Sequence, residues 1–256
     1  MLGVMAETGY YDYAEKISKM PLAIIIALGA VVLPKMSEVI ASGKIKQGKR
    51  LVHTTMWFME ACAFGLAFGI AGVAPTFVPV FFGAGFERCI YLMSLLSAVI
   101  PLICATNVIG VQYLLPCHKD VQYTLSVSCG AAVNVVINIF AIPQAGAAGA
   151  AWATVAAEAV VLAYQAHTVK GELDLKGSLK GALPFALIGL GMFLVLRLLC
   201  KVLPMKVLLL IAEVLIGMLL YVVASLIWCY VTKSQELKEL LPKVAGRLYA
   251  LKDRAI

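Results

Sequence analysis

The feature that most restricts the fold of this chain is a series of long apolar segments separated by short polar connectors. A helix of about 20 apolar residues is long enough to cross a bilayer. Hydrophobic residues make up 62% of the sequence and charged residues only 14%, which is more apolar than a compact soluble core requires. The pattern therefore predicts an all-α, polytopic membrane helical bundle. The predicted spans, about seven, lie near residues 17–36, 54–79, 90–115, 124–142, 146–166, 183–202 and 207–230.

Basic residues are concentrated in alternate connectors, and this predicts how the chain is oriented in a cell membrane. Connectors rich in Lys and Arg stay on the cytoplasmic side. The richer set comprises Lys35, Lys44, Lys46, Lys49, Arg50, Lys119, Lys170, Lys176, Lys180 and the basic residues of the tail 232–256. The opposite set comprises Lys16, Lys19, Arg88, Lys201 and Lys206. We therefore expect the C-terminus inside and, with an odd number of spans, residue 1 outside.

The division of the chain follows from this orientation. The first residues lack a charged segment followed by an apolar core, so no signal peptide is predicted. A start outside the membrane without such a signal suggests a preceding helix in a longer transporter. We expect residues 1–16 to be the end of a truncated preceding helix and an external connector, residues 17–231 a C-terminal transmembrane lobe, and residues 232–256 a basic cytoplasmic tail. The basic segment 37–53 is expected to lie on the membrane surface as an amphipathic piece.

Several classes of protein are disfavoured by the sequence. The net charge of +7 comes largely from the connectors, so no nucleic-acid partner is predicted. The three His and seven Cys residues lack metal-ligand spacing, and without clustered Asp residues an enzyme is not predicted either. We expect no cofactor, although coupling to an ion or a proton stays open. In GKIKQGKR (43–50), Arg50 replaces the Ser or Thr of a phosphate-binding loop and no strand precedes it, which favours a basic loop facing anionic lipid.

Four charged residues lie within predicted spans, where they should face protein or a watery cavity. Glu158 is near the middle of its span, and Glu60 is about two turns from the cytoplasmic end of its own. Arg197 and Glu213 lie at similar depth on consecutive helices, which predicts an ion pair between them. All four are candidates for a buried structural role or for coupling.

Two amides mark another polar position. Asn134 and Asn138 share one helix face because they are four residues apart. A turn at Pro143 and Gly146 follows, and then small residues recur at a spacing that allows two helices to approach closely. This predicts a tight helical hairpin whose amides either bond across the interface or contact substrate. The two amides, or Gln112 on another helix, are candidate partners for Glu158.

Several stretches resemble a known family. They are NVVINIFAIPQAGAAGAAWATVAAE (134–158), GYYDYAEKISKMP (9–21), LPKMSE (33–38), FFGAGFERC (81–89) and NVIGVQYLLPCHKD (107–120). Together they are similar to the C-terminal polysaccharide-biosynthesis region of Wzx-type oligosaccharide flippases. These belong to the multidrug/oligosaccharidyl-lipid/polysaccharide exporter superfamily and are related to lipid II flippases. The resemblance implies the second lobe of a two-lobe, MATE-like transporter, whose first lobe lies on the same or a separate chain.

The resemblance also implies a function and a site. Such flippases move an undecaprenyl-diphosphate-linked oligosaccharide from the cytoplasmic to the outer leaflet by alternating access, for capsule, O-antigen or exopolysaccharide synthesis. In the related lipid II flippases an Arg in a YAxR stretch lines the cavity, and here YAEK puts Lys16 at that position, with Lys19 about one turn away. The substrate-binding candidates are therefore Lys16, Lys19, Gln112, Asn134 and Asn138.

Other functions are also compatible with the sequence. Within the same superfamily they are a lipid II flippase and a cation-coupled multidrug exporter, which would favour an acid-rich cavity with few Lys residues. From a different class comes a non-transporting membrane module that docks on a polysaccharide polymerase or on a separately encoded first lobe.

Overall fold

The computed structural model describes residues 2–202 and 207–232, and the regular elements in this part of the chain are helices. In chain order they are α1 (Leu2–Lys19), α2 (Leu22–Ala30), α3 (Leu33–Ala41), α4 (Ile45–Phe81), α5 (Glu87–Ser97), α6 (Val99–Thr106), a π-helix (Asn107–Leu114), α7 (Asp120–Ala145), α8 (Ala147–Thr168), α9 (Leu175–Val202) and α10 (Val207–Val231). The basic tail from residue 233 onward lies outside the described residues.

The prediction of an all-α, polytopic membrane bundle is confirmed. Within the described residues, six helical segments are long and apolar enough to cross a membrane. They are Ile45–Phe81, Glu87–Leu114, Asp120–Ala145, Ala147–Thr168, Leu175–Lys201 and Val207–Val231. Each of these six overlaps one predicted span, because the length of an apolar run fixes the position of a membrane helix without reference to its neighbours.

The expected first span, 17–36, is not one helix. The chain there passes from α1 into α2 and then α3, with short turns between them. Pro21 falls in the first turn, and a proline has no N–H and clashes with the preceding helical turn. Pro34 stands at the start of α3, where proline is well tolerated. The segment 1–16, expected to include a connector, is likewise helical from Leu2 onward.

The expected surface piece at 37–53 is also different in the structure. It consists of the end of α3, a short turn and the first residues of α4. Val39 and Gly48 are buried where α3 and α4 pack together. The segment is therefore part of the helical framework and not a separate amphipathic piece.

Helix α4 is the central element of the bundle. Its 37 residues contact α2, α3, α5, α6, α9 and α10. Its buried Met56, Met59 and Ala63 pack in one apolar cluster with Ile100 and Val108 of the neighbouring membrane segment. The remaining membrane helices are therefore positioned largely by contact with α4 or with the α5–α6 segment beside it.

A second apolar cluster fixes α1 against the far end of the bundle. Ala14 of α1 is fully buried and packs with Cys89 and Met93 of α5 and with Ala147 and Ala151 of α8. Small residues at these positions allow the helix backbones to approach closely. As a result, one face of α1 lies directly against α8.

The predicted hairpin of α7 and α8 is present. Gly146, at a φ of 56°, ends α7 and starts α8. A Cβ atom added at Gly149 would overlap the carbonyl oxygen of Ala141, and one added at Gly130 would overlap the side chain of Val161. The small residues thus serve the close packing that the sequence predicts.

A substitution in this hairpin tests the close approach. Gly149→Ala should destabilise the protein by about 1–3 kcal/mol, because its methyl group meets backbone that no side-chain rotation can move. Thermal unfolding in detergent micelles measures the effect. Gly191→Ala in α9 is the matched control, since a Cβ there has no neighbour within 4 Å. Equal unfolding temperatures for the two variants would contradict the packing described.

Candidate functional site

A polar seam lies between α1 and α8. It consists of Tyr11, Glu15 and Lys19 on α1 and Thr154 and Glu158 on α8. The α1 residues are spaced by four, as are the two on α8, so each set occupies one helix face. The Tyr11 hydroxyl and Thr154 Oγ1 are 2.8 Å apart, and Lys19 Nζ donates to Glu15 Oε1 at 2.7 Å.

The seam also contains the charge partner of Glu158. The Lys19 ammonium group lies close enough for its charge to act on the Glu158 carboxyl group. Glu158 is half-buried, and Lys19 and Glu15 expose only 34% and 29% of their side chains. Lys19 is thus paired with Glu15 on its own helix and acts on Glu158 across the seam without a direct ion pair, in a partly desolvated place where electrostatic interactions are stronger than in water.

Lys16 lies outside the seam. Its ammonium group is 3.6 Å from Asp12 Oδ2, and 74% of the Lys16 side chain and 54% of the Asp12 side chain are exposed. The structure therefore separates the two lysines that the resemblance groups together. Lys19 is held between helices, whereas Lys16 extends from the open face of α1.

Polar contacts at its first turns hold α1 in this position. Glu7 accepts hydrogen bonds from Arg88 and, at 3.0 Å, from the backbone N–H of Ala147 at the start of α8. The Tyr10 hydroxyl donates to the Gly85 carbonyl at 2.9 Å. A carboxylate at a helix N-terminus is favourable because it meets unpaired N–H groups and the positive end of the helix dipole. The seam therefore rests on a helix that is tied to α8 and to the start of α5.

Gln112 is brought into the core by the π-helix and not toward Glu158. Its Nε2 donates to Asn107 Oδ1 at 3.1 Å and contacts Met59 Sδ at 3.5 Å. A Cβ at Gly29 of α2 would overlap the same amide. The Oε1 atom of Gln112 has no hydrogen-bond partner among the described residues. The expectation that Gln112 pairs with Glu158 is therefore wrong.

The two amides of α7 bond to each other. Asn138 Nδ2 donates to Asn134 Oδ1 at 2.9 Å, along the helix and not across the hairpin. Asn138 Oδ1 is buried without a partner in the described part of the chain. Neither amide is hydrogen-bonded to Glu158, so that expected pairing is also wrong. An unpaired buried amide oxygen is costly, which keeps Asn134 and Asn138 candidates for a polar contact with substrate.

Glu60 is the carboxyl side chain of the central helix α4, and it is deeply buried. It is 6% exposed, and its Oε1 atom has no hydrogen-bond partner among the described residues. The ionisable groups near it include the thiol of Cys104 and the phenol of Tyr221. Glu60 is thus surrounded by apolar and weakly polar groups of α4, α6 and α10.

The predicted ion pair between Arg197 and Glu213 is absent. Arg197 Nη2 donates to Ser94 Oγ at 3.0 Å, and its guanidinium group lies 5.1 Å from the centre of the Phe193 ring. Glu213 Oε1 instead accepts from Thr76 Oγ1 at 3.0 Å. Similar depth in the membrane does not fix which way each helix is rotated, and packing against α4 and α5 turns the two side chains to different neighbours.

A second polar cluster lies at the basic end of the bundle, where α4 and α9 begin and α8 ends. Glu172, in the loop between α8 and α9, accepts a hydrogen bond from Lys119 and one from the Tyr113 hydroxyl at 3.0 Å. Bonding to Lys119 holds the pKa of the Glu172 carboxyl group below its ordinary value of 4.5.

Within the described residues, no group of His, Cys, Asp or Glu is arranged to hold a metal ion.

This pKa shift predicts a pH dependence. Because the folded-state pKa of Glu172 lies below its unfolded value, its stabilisation is complete above about 4.5 and is lost as the pH falls through the lowered folded-state value. Since the pair is partly exposed, Glu172→Gln should lower the unfolding temperature at pH 7 by only about 1–3 °C.

The measurement is thermal unfolding in micelles at a series of pH values. The wild-type and Glu172→Gln proteins should converge as the pH falls below the folded-state pKa. Glu38→Gln removes a carboxylate from an exposed position of α3 and should have no such effect. A constant difference between wild type and Glu172→Gln at every pH would contradict the role of ionised Glu172.

The fold and the buried polar groups define a multi-pass helical membrane protein. The family model of the lipid II flippase MurJ matches residues 5–232, and the chain belongs to that family. A solved structure of "Lipid II flippase MurJ, inward closed conformation" is similar in fold, with a TM-score of 0.70 and 19% sequence identity. The likeness covers 88% of this chain and 47% of that one, so the chain spans about half the length of the MurJ structure. A comparison with curated proteins gave no match.

These findings confirm the broader expectations. The family consists of flippases, which are transporters, so the prediction that the chain is not an enzyme is confirmed. The resemblance to flippases of lipid-linked substrates is confirmed as well. The match is to MurJ and not to the Wzx type in particular.

Sequence reasoning missed part of the seam. Lys19 and Glu158 are among the predicted site residues, but Tyr11, Glu15 and Thr154 are not. The i, i+4 spacing of Tyr11, Glu15 and Lys19 is the signal that could have found the α1 side. No sequence signal pairs that face with Thr154, because the pairing depends on how two helices are rotated against each other.

Proposed function

We propose that the chain forms one lobe of a flippase that carries a polyprenyl-diphosphate-linked saccharide across the membrane. The observation that carries this proposal is a family match over most of the described chain, combined with cationic side chains on the face of α1. A diphosphate and a saccharide cannot enter about 30 Å of hydrocarbon unaided. The transporter must therefore supply a polar, cationic route while the lipid tail stays in the bilayer.

Lys16 is the proposed contact for the diphosphate. Its pair with Asp12 is exposed and 3.6 Å long, and such surface pairs contribute little free energy. Exchange of the Asp12 carboxylate for a diphosphate oxygen therefore costs little. Lysine binds phosphate as a point charge, without the two-pronged geometry of arginine.

The polar seam is proposed to hold α1 in register with α8 during transport. Lys19 is already engaged by Glu15 and acts on Glu158. Movement of α1 away from α8 would take Lys19 away from Glu158 and break the contact between Tyr11 and Thr154, so the seam favours the packed arrangement. Glu158 and Glu60 are the proposed positions for exchange of a proton or cation, since both are carboxyl groups in membrane-spanning helices.

Two substrates of this chemical class are supported by different observations. The family match and the solved relative support lipid II. The sequence resemblance around 134–158 supports the repeat unit of a capsule, O-antigen or exopolysaccharide. Complementation of one strain that lacks its lipid II flippase and of another that lacks its Wzx flippase separates the two substrates. A multidrug exporter is disfavoured by the same family match.

The proposal also includes a protein partner, which is a first lobe of the transporter. A chain that spans about half of the MurJ structure is proposed to act with a first lobe, and to orient its basic end toward the cytoplasm. Complementation with and without a first lobe also tests the reading as a module docked on a polysaccharide polymerase. A chain that only docks would not restore transport even when a first lobe is supplied.

Replacement of Lys16 tests the phosphate contact. In the full-length transporter, Lys16→Gln should reduce transport of the lipid-linked saccharide by about tenfold or more, because a charge-assisted hydrogen bond is lost. Lys16→Arg should retain most of the activity. The measurement is transport in cells that lack their own flippase, normalised to the amount of protein in the membrane.

Two further variants sharpen this test. Lys176→Gln removes an equal charge from an exposed position at the other end of the bundle and should transport normally. Lys19→Gln should lower the unfolding temperature as well as transport, because it removes the cation of the seam. Normal transport by Lys16→Gln would contradict the proposed contact between Lys16 and the diphosphate. It would not contradict the proposal that the chain is part of a flippase.

A further inference from the structure

A cavity lies at the basic end of the bundle, away from the polar seam. Its volume is about 470 Å³, within the range of small-molecule sites. One wall is the first part of α4, with Lys49, Arg50 and His53. The opposite wall is the loop before α9 and the first turn of that helix, which includes Ser178.

The cavity is lined by two basic side chains, Lys49 and Arg50, and by two carboxyl groups, Glu172 and Asp174. Glu172 is part of the lining, but its carboxylate already receives Lys119 and Tyr113. Asp174 also lines it, and Asp174 Oδ1 accepts the N–H of Gly177 at 2.9 Å. Glu172 is thus paired with a cation, whereas the bond from Gly177 leaves the charge of Asp174 in place; Lys49, Arg50 and Lys119 together exceed the two carboxyl groups by one positive charge. Lys49 acts on Glu172 as well, yet that carboxylate has its own closer cation.

The cavity is also amphipathic. Val52 and Met56 lie about one and two turns beyond Lys49 along α4, and Leu173 and Leu175 lie on the opposite wall. Both α4 and α9 are membrane-spanning helices. A ligand seated here would have its anionic part at the membrane surface and an apolar part directed along the helices. Free anions in water need no such apolar lining.

We propose that this cavity binds the phosphate group of a membrane phospholipid. Lys49 and Arg50 supply the positive charge and His53 is a further polar group of the lining, whereas the Ser178 hydroxyl donates to the Asp174 carbonyl oxygen at 3.1 Å. Basic pockets between membrane helices are suited to anionic head groups. A bound lipid would bridge the starts of α4 and α9 and so fix the outer pair α9 and α10 to the central helix. The proposal does not depend on which saccharide the flippase carries.

The test uses purified full-length chain in detergent and native mass spectrometry with added phosphatidylglycerol. The wild-type protein should retain one lipid molecule at collision energies that strip the detergent. The double variant Lys49→Gln/Arg50→Gln should reduce the retained fraction by about tenfold. The double variant Lys44→Gln/Lys46→Gln has the same change in charge at exposed positions outside the cavity, and should retain the lipid within about twofold.

Three further measurements make the test decisive. The charge-preserving variant Lys49→Arg/Arg50→Lys should keep the lipid, which separates binding from a folding defect. Diacylglycerol, which has the same chains and no phosphate, should not be retained. Displacement of the phosphatidylglycerol by millimolar inorganic phosphate would overturn the assignment to a lipid in favour of a soluble phosphate compound. Equal lipid retention by the two glutamine double variants would overturn the site itself.

Discussion

The structure depends on one constraint, which is that polar groups in the membrane must be satisfied by the protein itself. The backbone meets this requirement by forming helices throughout the membrane segments. Some side chains meet it by pairing between helices, as in the Tyr11–Thr154 contact of the polar seam and the Thr76–Glu213 hydrogen bond, whereas Glu60 Oε1 and Asn138 Oδ1 have no partner among the described residues. Because each pair fixes the rotation of two helices at once, a small number of polar contacts specifies how an otherwise apolar bundle is assembled.

The positions of the membrane helices could be predicted from the sequence, because an apolar run of sufficient length carries the information by itself. The hairpin at Gly146 could be predicted for a similar reason, since its turn and small residues are local signals. The division of 17–36 into separate helices is partly signalled by Pro21. The π-helix is not, because the side chains packed against it, such as Tyr123 and Gln165 at Gly110, belong to other helices and no local sequence signal relates them to it.

The site was predictable only as a set of residue types. The cost of charge in lipid predicted that Glu158, Glu60, Arg197 and Glu213 do not face lipid, and each of them is partly or fully buried in the structure. Their partners were predicted incorrectly wherever the prediction depended on helix rotation. Arg197, for example, was expected to pair with Glu213 but donates to Ser94. The seam and the cavity at the basic end could not be predicted for the same reason. Each joins segments far apart in the chain, and no sequence spacing relates them.

The π-helix has a geometric consequence for communication along the bundle. Its hydrogen bonds run from each N–H to the fifth preceding carbonyl, as from Leu115 to Gly110, so each hydrogen-bonded loop encloses one more residue than in an α-helix. A change to α-helical bonding would advance the register and rotate Gln112 and Tyr113 about the axis. The first residue contacts α4 in the core, and the second is bonded to Glu172 at the membrane surface. One local change of winding would therefore move both contacts together.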